Sequence, residues 1–237
     1  MKNSTDITFI LDRSGSMQSK VADVIGGWKT FVEKQKAEPG EAKVSLVQFD
    51  DQYETPFTAI PVENLSPSLF YAPRGMTALR DALGRTITNV GERLQSLPAS
   101  ERPNKVLIIL MTDGEENASH EFTQVQIKQM VEHQTDKYQW EFIFLGANID
   151  SFNAAASLGY TAFNTTNVTY TGAGLRSAFD TVSAYASTTR SGGLHTATLA
   201  QTQAKNEAAT EDLTKNAGLN TGIVTSVPAV VISGTGI

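Results

Sequence analysis

The sequence predicts an α/β fold: a mostly parallel, six-stranded sheet with helices on both faces. Short apolar runs rich in β-branched and aromatic residues alternate with segments whose apolar residues recur at helical spacing. Two of these runs, residues 7–11 and 105–111, lead into the carboxylates Asp12 and Asp113. The alternation of strand and helix requires a parallel sheet with right-handed crossovers. Acids that follow parallel strands then lie at the edge where open α/β sheets bind ligands.

Composition restricts the function classes. A chain of 237 residues suits one sizeable domain plus an extension, or at most two small domains. Because there is no cysteine, disulfides and thiolate metal sites are excluded. The formal net charge of −6, with no block of lysines and arginines, argues against a nucleic-acid partner.

The sequence carries no membrane or export signal that we recognise. No apolar run approaches the ~20 residues that cross a bilayer. The apolar run near the amino terminus, residues 7–11, is too short for the core of a signal peptide. We therefore predict a cytoplasmic protein without membrane insertion. Export by a route that needs no signal, or incorporation into a particle, stays open.

The first strand and helix follow directly from pattern. Residues 7–11 are continuously apolar, which is typical of a strand buried on both faces. Apolar residues then recur at helical spacing from Val21 to about Lys36, where Pro39 and Gly40 end the helix.

A hairpin and a second helix come next. Residues 44–49 and 53–62 are rich in β-forming residues, and the polar residues 50–52 between them indicate a turn. We therefore predict that these two strands pair antiparallel. After Thr77, apolar residues at helical spacing predict a second amphipathic helix that ends near Pro98.

The second half of the chain continues the alternation. The most apolar run of the chain, residues 105–111, is predicted to be the central strand of the sheet. Ser151 is the expected N-cap of the alanine-rich helix that it begins, and Gly159 its C-cap. The predicted elements, in order, are a strand at 105–111, a short helix around 127–131, a strand at 140–145, a helix at 151–158, a strand at 160–163 and a helix at 175–187.

Composition changes after Arg190. Residues 191–193 are typical of a linker, residues 197–213 are polar and alanine-rich, and residues 221–237 carry no charge. We predict a domain over residues 1–190 and a linker and tail over 191–237. The tail cannot build a core alone, so it is disordered, packed on the domain, or ordered by another subunit.

Three separate segments supply oxygen ligands. They are Asp12, Ser14 and Ser16 after the first strand, Thr77 before the second helix, and Asp113 after the central strand. Two unpaired carboxylates ~4 Å apart repel by ~4 kcal/mol at an effective dielectric of ~20, and a bound cation removes that repulsion. Carboxylates and hydroxyls form a hard, all-oxygen set that suits Mg²⁺ or Mn²⁺. Ca²⁺ ranks lower, since it usually takes more carboxylates and carbonyls. Helix capping is the alternative explanation, by Asp12, Ser14 or Ser16 at the first helix and by Thr77 at the second.

Other residues near these segments can be explained without a role in metal binding. Glu115 and Glu116 are expected to form a solvated loop, and Asp81 to pair with Arg80 or Arg85.

Met17 and Met76 either form an apolar rim for a partner or pack in the core. Asn148 and Asp150 follow the next strand, and we expect no binding role for them. The three histidines are scattered, which argues against a zinc site.

The five ligand positions resemble a known site. Asp12-x-Ser14-x-Ser16, Thr77 and Asp113-Gly114, in this order and at these intervals, are similar to the metal-ion-dependent adhesion site (MIDAS) of von Willebrand factor A domains. The order of strands and helices agrees from about residue 5 to 188 but not in the tail. The resemblance implies a doubly wound sheet with one antiparallel edge strand. It further implies that Ser14, Ser16 and Thr77 contact the metal directly. Asp12 and Asp113 would bind it directly or through water, and a partner's acidic residue would fill the open position.

The function predicted from these observations is a metal-dependent protein-binding module, not an enzyme. Its partner would be a protein that offers an Asp or Glu carboxylate. One alternative is a structural building block that forms a homo-oligomer or larger assembly through the tail, which could add to a sheet edge. A second is a magnesium-dependent phosphohydrolase with Asp12 as nucleophile. Ser14 then stands where such phosphatases normally carry a second acid.

Overall fold

The structure, a computed structural model, describes residues 4–147, 150–169, 171–197, 199–205 and 208. Six strands form one sheet in the order β3-β2-β1-β4-β5-β6. The strands are β1 (Ser4–Asp12), β2 (Glu41–Phe49), β3 (Tyr53–Pro61), β4 (Lys105–Thr112), β5 (Glu141–Ala147) and β6 (Thr165–Val168). The helices are α1 (Val21–Ala37), α2 (Leu79–Ser96), α3 (Gln124–Tyr138), α4 (Ser151–Ser157) and α5 (Gly172–Ser191). Within these ranges, no helix combines the length and the apolar content needed to span a membrane.

Helices cover both faces of the sheet. Alternate residues of β1 divide between two cores: Phe9 packs with α1 and α5, whereas Ile10 packs with α2, α3 and α4. Because a strand points successive side chains to opposite faces, a strand that is buried on both sides must be apolar throughout. That requirement explains the unbroken apolar runs of β1 and β4.

The predicted sheet is confirmed. β1 pairs in parallel with both β2 and β4, and β5 pairs in parallel with β4 and β6. The predicted hairpin is also present, since β3 pairs antiparallel with β2 at one edge of the sheet. The mostly parallel, doubly wound sheet therefore carries a single antiparallel edge strand.

The prediction of a strand at residues 160–163 is wrong. The sixth strand begins later, at Thr165. Tyr160 is instead buried in the core, where its ring lies edge-on to Phe142 and Phe144 of β5. Tyr160 is therefore buried because it packs on the face of β5, and not because it belongs to a strand of the sheet.

The ends of the last two helices differ from expectation. The C-cap of α4 is Leu158, and the predicted C-cap Gly159 follows it with a positive φ angle of 89°. Asp150, not Ser151, is the N-cap of α4, and its carboxylate accepts a hydrogen bond from the Asn153 backbone N–H at 3.2 Å. The last helix continues past residue 187 to Ser191, so Ser191 is helical and not part of a linker. Gly192 ends that helix in the left-handed conformation that glycine adopts without strain.

Residues on both sides of position 190 contact one another. Leu199 belongs to the core between the sheet, α1 and α5. Gln203 accepts a hydrogen bond from the Thr181 hydroxyl of α5 at 2.8 Å. The division at residue 190 stays a prediction, and residues 209–237, where most of the predicted tail falls, lie outside the described residues.

Candidate functional site

Two neighbouring strands deliver the predicted acids to one edge of the sheet. β1 and β4 are parallel and in register, with Leu11 opposite Met111. Asp12 is the last residue of β1, and Asp113 directly follows β4. The two carboxylates therefore leave adjacent strands at the same edge, as the sequence predicted.

Hydrogen bonds join these acids to the predicted hydroxyls. The Asp12 carboxylate accepts from the Ser14 backbone N–H at 2.7 Å and from the Thr112 hydroxyl at 2.6 Å. The Ser16 hydroxyl donates to Asp113 Oδ1 at 2.6 Å, and its oxygen lies 3.0 Å from that of Ser14. The structure thus brings Asp12, Ser14, Ser16 and Asp113 into one connected group.

Thr77 reaches the same place from a different segment. A Cβ atom placed on Gly114 would lie 3.1 Å from Thr77 Oγ1, 3.6 Å from Ser16 Oγ and 3.8 Å from Ser14 Oγ. Three hydroxyl oxygens therefore face one small space that is kept open by the missing side chain of Gly114. Hard oxygen donors of this kind, with two carboxylates beside them, are suited to a divalent cation such as Mg²⁺.

Burial affects the charge of Asp12. The residue is fully buried, and loss of solvation raises the pKa of its carboxyl to about 6. Hydrogen bonds from Thr112 and Ser14 lower that pKa, whereas the nearby Asp113 carboxylate raises it. A cation at this edge would favour the ionised form of Asp12.

The position of Thr77 depends on Asn117, a residue that was not among the predicted site residues. The side-chain oxygen of Asn117 accepts the Thr77 backbone N–H at 2.8 Å. In return, the backbone N–H groups of Asn117 and Ala118 donate to the Thr77 carbonyl at 3.0 and 3.2 Å. These bonds attach Thr77 to the loop that follows Asp113. In the sequence, the proximity of Asn117 to Asp113, four residues before it, is the one feature that indicates a role at the site.

A buried ion-pair network, which no pattern in the sequence predicts, lies beside the site. The Arg13 guanidinium donates to Asp50 at 2.9 Å and to both carboxylate oxygens of Glu54 at 2.7 Å. Arg74 donates to the same two acids, at 2.9 and 2.7 Å. The predicted turn at residues 50–52 therefore also holds the side chains of Arg13 and Arg74 in place. Its buried Asp50 binds two arginines.

This network connects the loop before Thr77 to the turn after β1. The Arg74 backbone N–H donates to the Arg13 carbonyl at 2.7 Å, and the Gly15 N–H donates to the Gly75 carbonyl at 3.2 Å. The Tyr71 hydroxyl also donates to the Asp12 carbonyl. Because the loop is attached on both sides of Arg74, Thr77 is held against the two serines.

Two acids near the site stabilise the loop after β4. The Asp81 carboxylate accepts three backbone N–H groups, from His120, Glu121 and Phe122, at 2.8–3.0 Å. Burial raises the pKa of Asp81, but these three bonds and the positive charge of Arg85 together hold it below its ordinary value. Of the two predicted partners, Arg85 acts on Asp81 through its charge, whereas the hydrogen bonds to Asp81 come from the backbone.

Glu116 is not part of a solvated loop, so that prediction is wrong. Its carboxylate accepts backbone N–H groups from Arg80, Ala118 and Ser119 at 2.8–3.0 Å. Glu115, by contrast, is exposed as expected.

The two methionines have different environments. Met17 is buried in the core, and Met76 is exposed beside Thr77. Asp150 caps α4, as described above, and Asn148 lies outside the described residues. In the part of the chain that the structure describes, no group of three or more histidine, aspartate or glutamate side chains is arranged to hold a metal. A metal at this edge would therefore depend on hydroxyls as well as on carboxylates.

Comparison with solved structures supports the fold. Proximal thread matrix protein 1 of the mussel byssus, described with a zinc-occupied MIDAS motif, matches with a TM-score of 0.55 and 16% identity. The match covers 78% of this chain and 46% of that chain, so this chain spans about half of that protein.

Two bacterial pilus proteins also match. The pilus adhesin SpaC of Lactobacillus rhamnosus GG, in an open conformation, gives a TM-score of 0.59 at 14% identity, covering 79% of this chain and 30% of that chain. The vWF domain of the type V pili tip protein Mfa5 of Porphyromonas gingivalis gives 0.55 at 13% identity, covering 78% and 96%. At these identities the likeness concerns the fold.

The family assignment comes from the sequence itself. None of the curated proteins compared with this chain matches it significantly. The family profile of the von Willebrand factor type A domain, however, matches residues 6–153, which include all five predicted ligand positions. The chain therefore belongs to the von Willebrand factor type A domain family.

Proposed function

We propose that this chain is a metal-dependent protein-binding module. Its ligands would be Asp12, Ser14, Ser16, Thr77 and Asp113, and its cation Mg²⁺, with Mn²⁺ as the alternative and Ca²⁺ ranked lower. The observation that carries the proposal is the convergence of three hydroxyls from two distant segments on the space beside Gly114, next to two carboxylates.

The residues of the site have distinct roles in this proposal. Asp12 and Asp113 supply the negative charge, and Ser14, Ser16 and Thr77 supply neutral oxygens. The bound cation would provide a Lewis-acidic position that accepts a carboxylate from a partner protein. Because Asp12 is buried and Ser16 is exposed, we expect the partner to approach from the side of Ser16.

Two other functions remain alternatives. Assembly into a homo-oligomer or larger structure through residues 191–237 stays a prediction, because most of that segment lies outside the described residues. Phosphohydrolase activity is disfavoured by the chemistry of the turn. Ser14 occupies the position where a general acid would be needed, and its hydroxyl lies next to that of Ser16. The cytoplasmic location likewise stays a prediction.

Metal binding by a matched pair of Thr77 variants tests the proposal. We expect the chelator-stripped protein to bind one Mg²⁺ in a calorimetric titration. Thr77→Val, which keeps the shape but removes the hydroxyl, should weaken binding by more than about 100-fold, since loss of even an outer hydrogen-bonding partner costs about 10–100-fold. Thr77→Ser should retain binding.

The same titration with other cations and with a folding control makes the result decisive. Mn²⁺, Ca²⁺ and Zn²⁺ are compared, because the mussel protein is described with zinc in its site. Thermal unfolding of each variant is measured in chelator. A folded wild-type protein that binds none of these cations, or a Thr77→Val variant that binds Mg²⁺ normally, would exclude the proposed site.

A further inference from the structure

The chain after α5 returns to the domain at His195. Its imidazole ring lies flat on the ring of Tyr185 in α5, with centroids 3.6 Å apart and an angle of 9° between the two planes. Leu199 then enters the core beside α5, and the buried Gln203 bonds to the same helix. His195, Leu199 and Gln203 together hold residues 194–205, which we call the returning segment, against the domain.

A closed hydrogen-bond network surrounds the imidazole. The Thr189 hydroxyl donates to Glu141 Oε2 at 3.0 Å, so the Thr189 oxygen accepts from His195 Nε2–H, which lies 3.1 Å away. Glu141 Oε1 accepts from Lys105 Nζ at 3.2 Å. This arrangement requires neutral His195 to carry its hydrogen on Nε2. A proton added at Nδ1 would find no acceptor among the residues that the structure describes.

Protonation would also add a charge that the surroundings accommodate poorly. The His195 side chain is only 17% exposed. The charged groups that act on it are Glu141 at the start of β5 and Lys105 at the start of β4. The ring beneath it belongs to Tyr185, whose phenol stays neutral because burial raises its pKa. Since Glu141 is already paired with Lys105, a protonated His195 would leave the cluster with an excess of positive charge.

The pKa of His195 agrees with this argument. Loss of solvation lowers the pKa of His195 below its ordinary value of 6.5, and Lys105 acts in the same direction, whereas Glu141 opposes the shift without reversing it. The Tyr185 ring, whose face attracts cations, would reduce the shift. The contribution of neutral His195 to docking is therefore complete above pH ~6.5 and is lost as the pH falls below that value.

We propose that His195 is a pH-sensitive contact, whose protonation at mildly acidic pH releases the returning segment from α5. On release, Leu199, which is 1% exposed, would leave the core and uncover the apolar surface that it covers. The inference does not depend on metal binding, because Glu141 and Lys105 begin their strands, at the edge of the sheet opposite the candidate metal site.

Hydrogen exchange of the full chain, followed by mass spectrometry, tests the inference. Exchange near pH 7.5 and near pH 5 is compared after correction for the intrinsic pH dependence of exchange. Wild-type peptides from the returning segment should exchange several-fold faster in acid than this correction explains. The limit is about 30-fold, because pH 5 lies about 1.5 units below 6.5. Peptides from β1 and β4 should show no such effect, since the opening is local.

Two histidine variants identify the titrating group. His195→Phe keeps an aromatic ring on Tyr185 but cannot be protonated, so its corrected exchange should be the same at both pH values. His133→Phe is the matched control, since His133 is exposed on α3 and its ring lies edge-on to Tyr138, with centroids 5.6 Å apart. It should keep the wild-type response. The Asp12 carboxyl, whose pKa is about 6, is present in both variants and cannot cause a difference between them.

Each outcome decides the inference. Faster exchange in acid for wild type and His133→Phe, but not for His195→Phe, would support it. Equal exchange at both pH values in wild type, or slower exchange in acid, would overturn it. An acid response that persists in His195→Phe would overturn it as well, because the titrating group would then lie elsewhere.

Discussion

At position 114 the chain has no side chain, and three hydroxyl oxygens face the space where one would lie. Gly114 does not adopt a positive φ angle, unlike Gly40, Gly75, Gly159 and Gly192, so its backbone does not require glycine. The lack of a side chain at this position is therefore best explained by the need for space. A metal ion between Ser14, Ser16 and Thr77 would need that space.

The first prediction concerns Gly114→Ala. The new methyl group would lie 3.1 Å from Thr77 Oγ1 and would occupy the space faced by the hydroxyls. We expect Mg²⁺ affinity to fall at least about tenfold. The free energy of unfolding in chelator rises, because alanine restricts the unfolded chain, only if the Thr77 side chain moves aside by a few tenths of an ångström, and it falls if that side chain cannot move. Calorimetry and urea unfolding measure the two effects.

Gly91→Ala in α2 provides the control, because a Cβ atom there would meet nothing within 4 Å. This variant should bind Mg²⁺ as wild type does and should be more stable by roughly 0.5–1 kcal/mol. Equal Mg²⁺ affinity in Gly114→Ala and Gly91→Ala would contradict the position that we propose for the metal.

The proposed ligands could be selected from the sequence because each belongs to a local pattern. Asp12 and Asp113 follow apolar runs, and Ser14 and Ser16 alternate directly after Asp12. Asp50 and Asn117 have no such pattern. Asp50 acts through Arg13, 37 positions away, and Asn117 through Thr77, 40 positions away, so their roles depend on the completed fold.

At the scale of elements, the network around Asp50 joins the turn after β1, the end of β2, the start of β3 and the loop before α2. Asp50 and the Arg13 side chain are almost fully buried, and breaking a buried ion pair by removing one partner costs about 3–5 kcal/mol. The Arg13 and Arg74 guanidinium groups also bind Glu54 of β3. The edge hairpin thus supports the loop that presents Thr77.

The second prediction is an acid dependence that arises from Glu54. Hydrogen bonding from Arg13 lowers the pKa of Glu54 from its ordinary value of 4.5 to about 2. Between these values the unfolded chain binds a proton that the folded chain does not. The stability that Glu54 contributes is therefore complete above pH ~4.5 and is lost as the pH falls towards ~2.

Urea unfolding at a series of acidic pH values measures this effect. Glu54→Gln should be less stable than wild type at neutral pH and should lose less stability on acidification. Glu92→Gln, which changes an exposed glutamate of α2, should follow the wild-type curve. Parallel acid curves for wild type and Glu54→Gln would show that the ion pairs of Glu54 do not stabilise the fold.

Most element types followed from periodicity, but the position of β6 and some helix ends did not. The runs that became β1, β4 and β5 are apolar because helices cover both of their faces. The strand β6 is only 4 residues long and rich in threonine, so its own pattern predicts a strand only weakly. Tyr160 lies nearby and packs on β5, and its apolar ring led to the prediction of a strand at residues 160–163. Ser151 and Asp150 are both good N-caps, and sequence alone does not choose between them.

At the scale of the whole molecule, the packed structure does not end at α5. Residues after Gly192 return to the core between α1, α5 and the sheet. His195 stacks on Tyr185 with ring centroids 3.6 Å apart, and the Gln203 side chain bonds to Thr181 at 2.8 Å. This segment is polar in composition, and that composition led to the prediction of a linker.

The third prediction uses two leucines of this segment. Leu199 is 1% exposed and Leu194 is 88% exposed, although only five positions separate them. Leu199→Ala should lower the free energy of unfolding by roughly 2–4 kcal/mol, because it removes buried methyl groups and leaves a cavity. Leu194→Ala should stay within about 0.5 kcal/mol of wild type. Urea unfolding of the full chain measures both.

The two results decide where the folded domain ends. If Leu199→Ala and Leu194→Ala have the same free energy of unfolding, residues 191–205 are an independent extension, and the domain ends near residue 190 as the composition predicted. If only Leu199→Ala is destabilised, the folded unit includes this segment, and a chain cut at 190 would expose part of the core beneath α1 and α5.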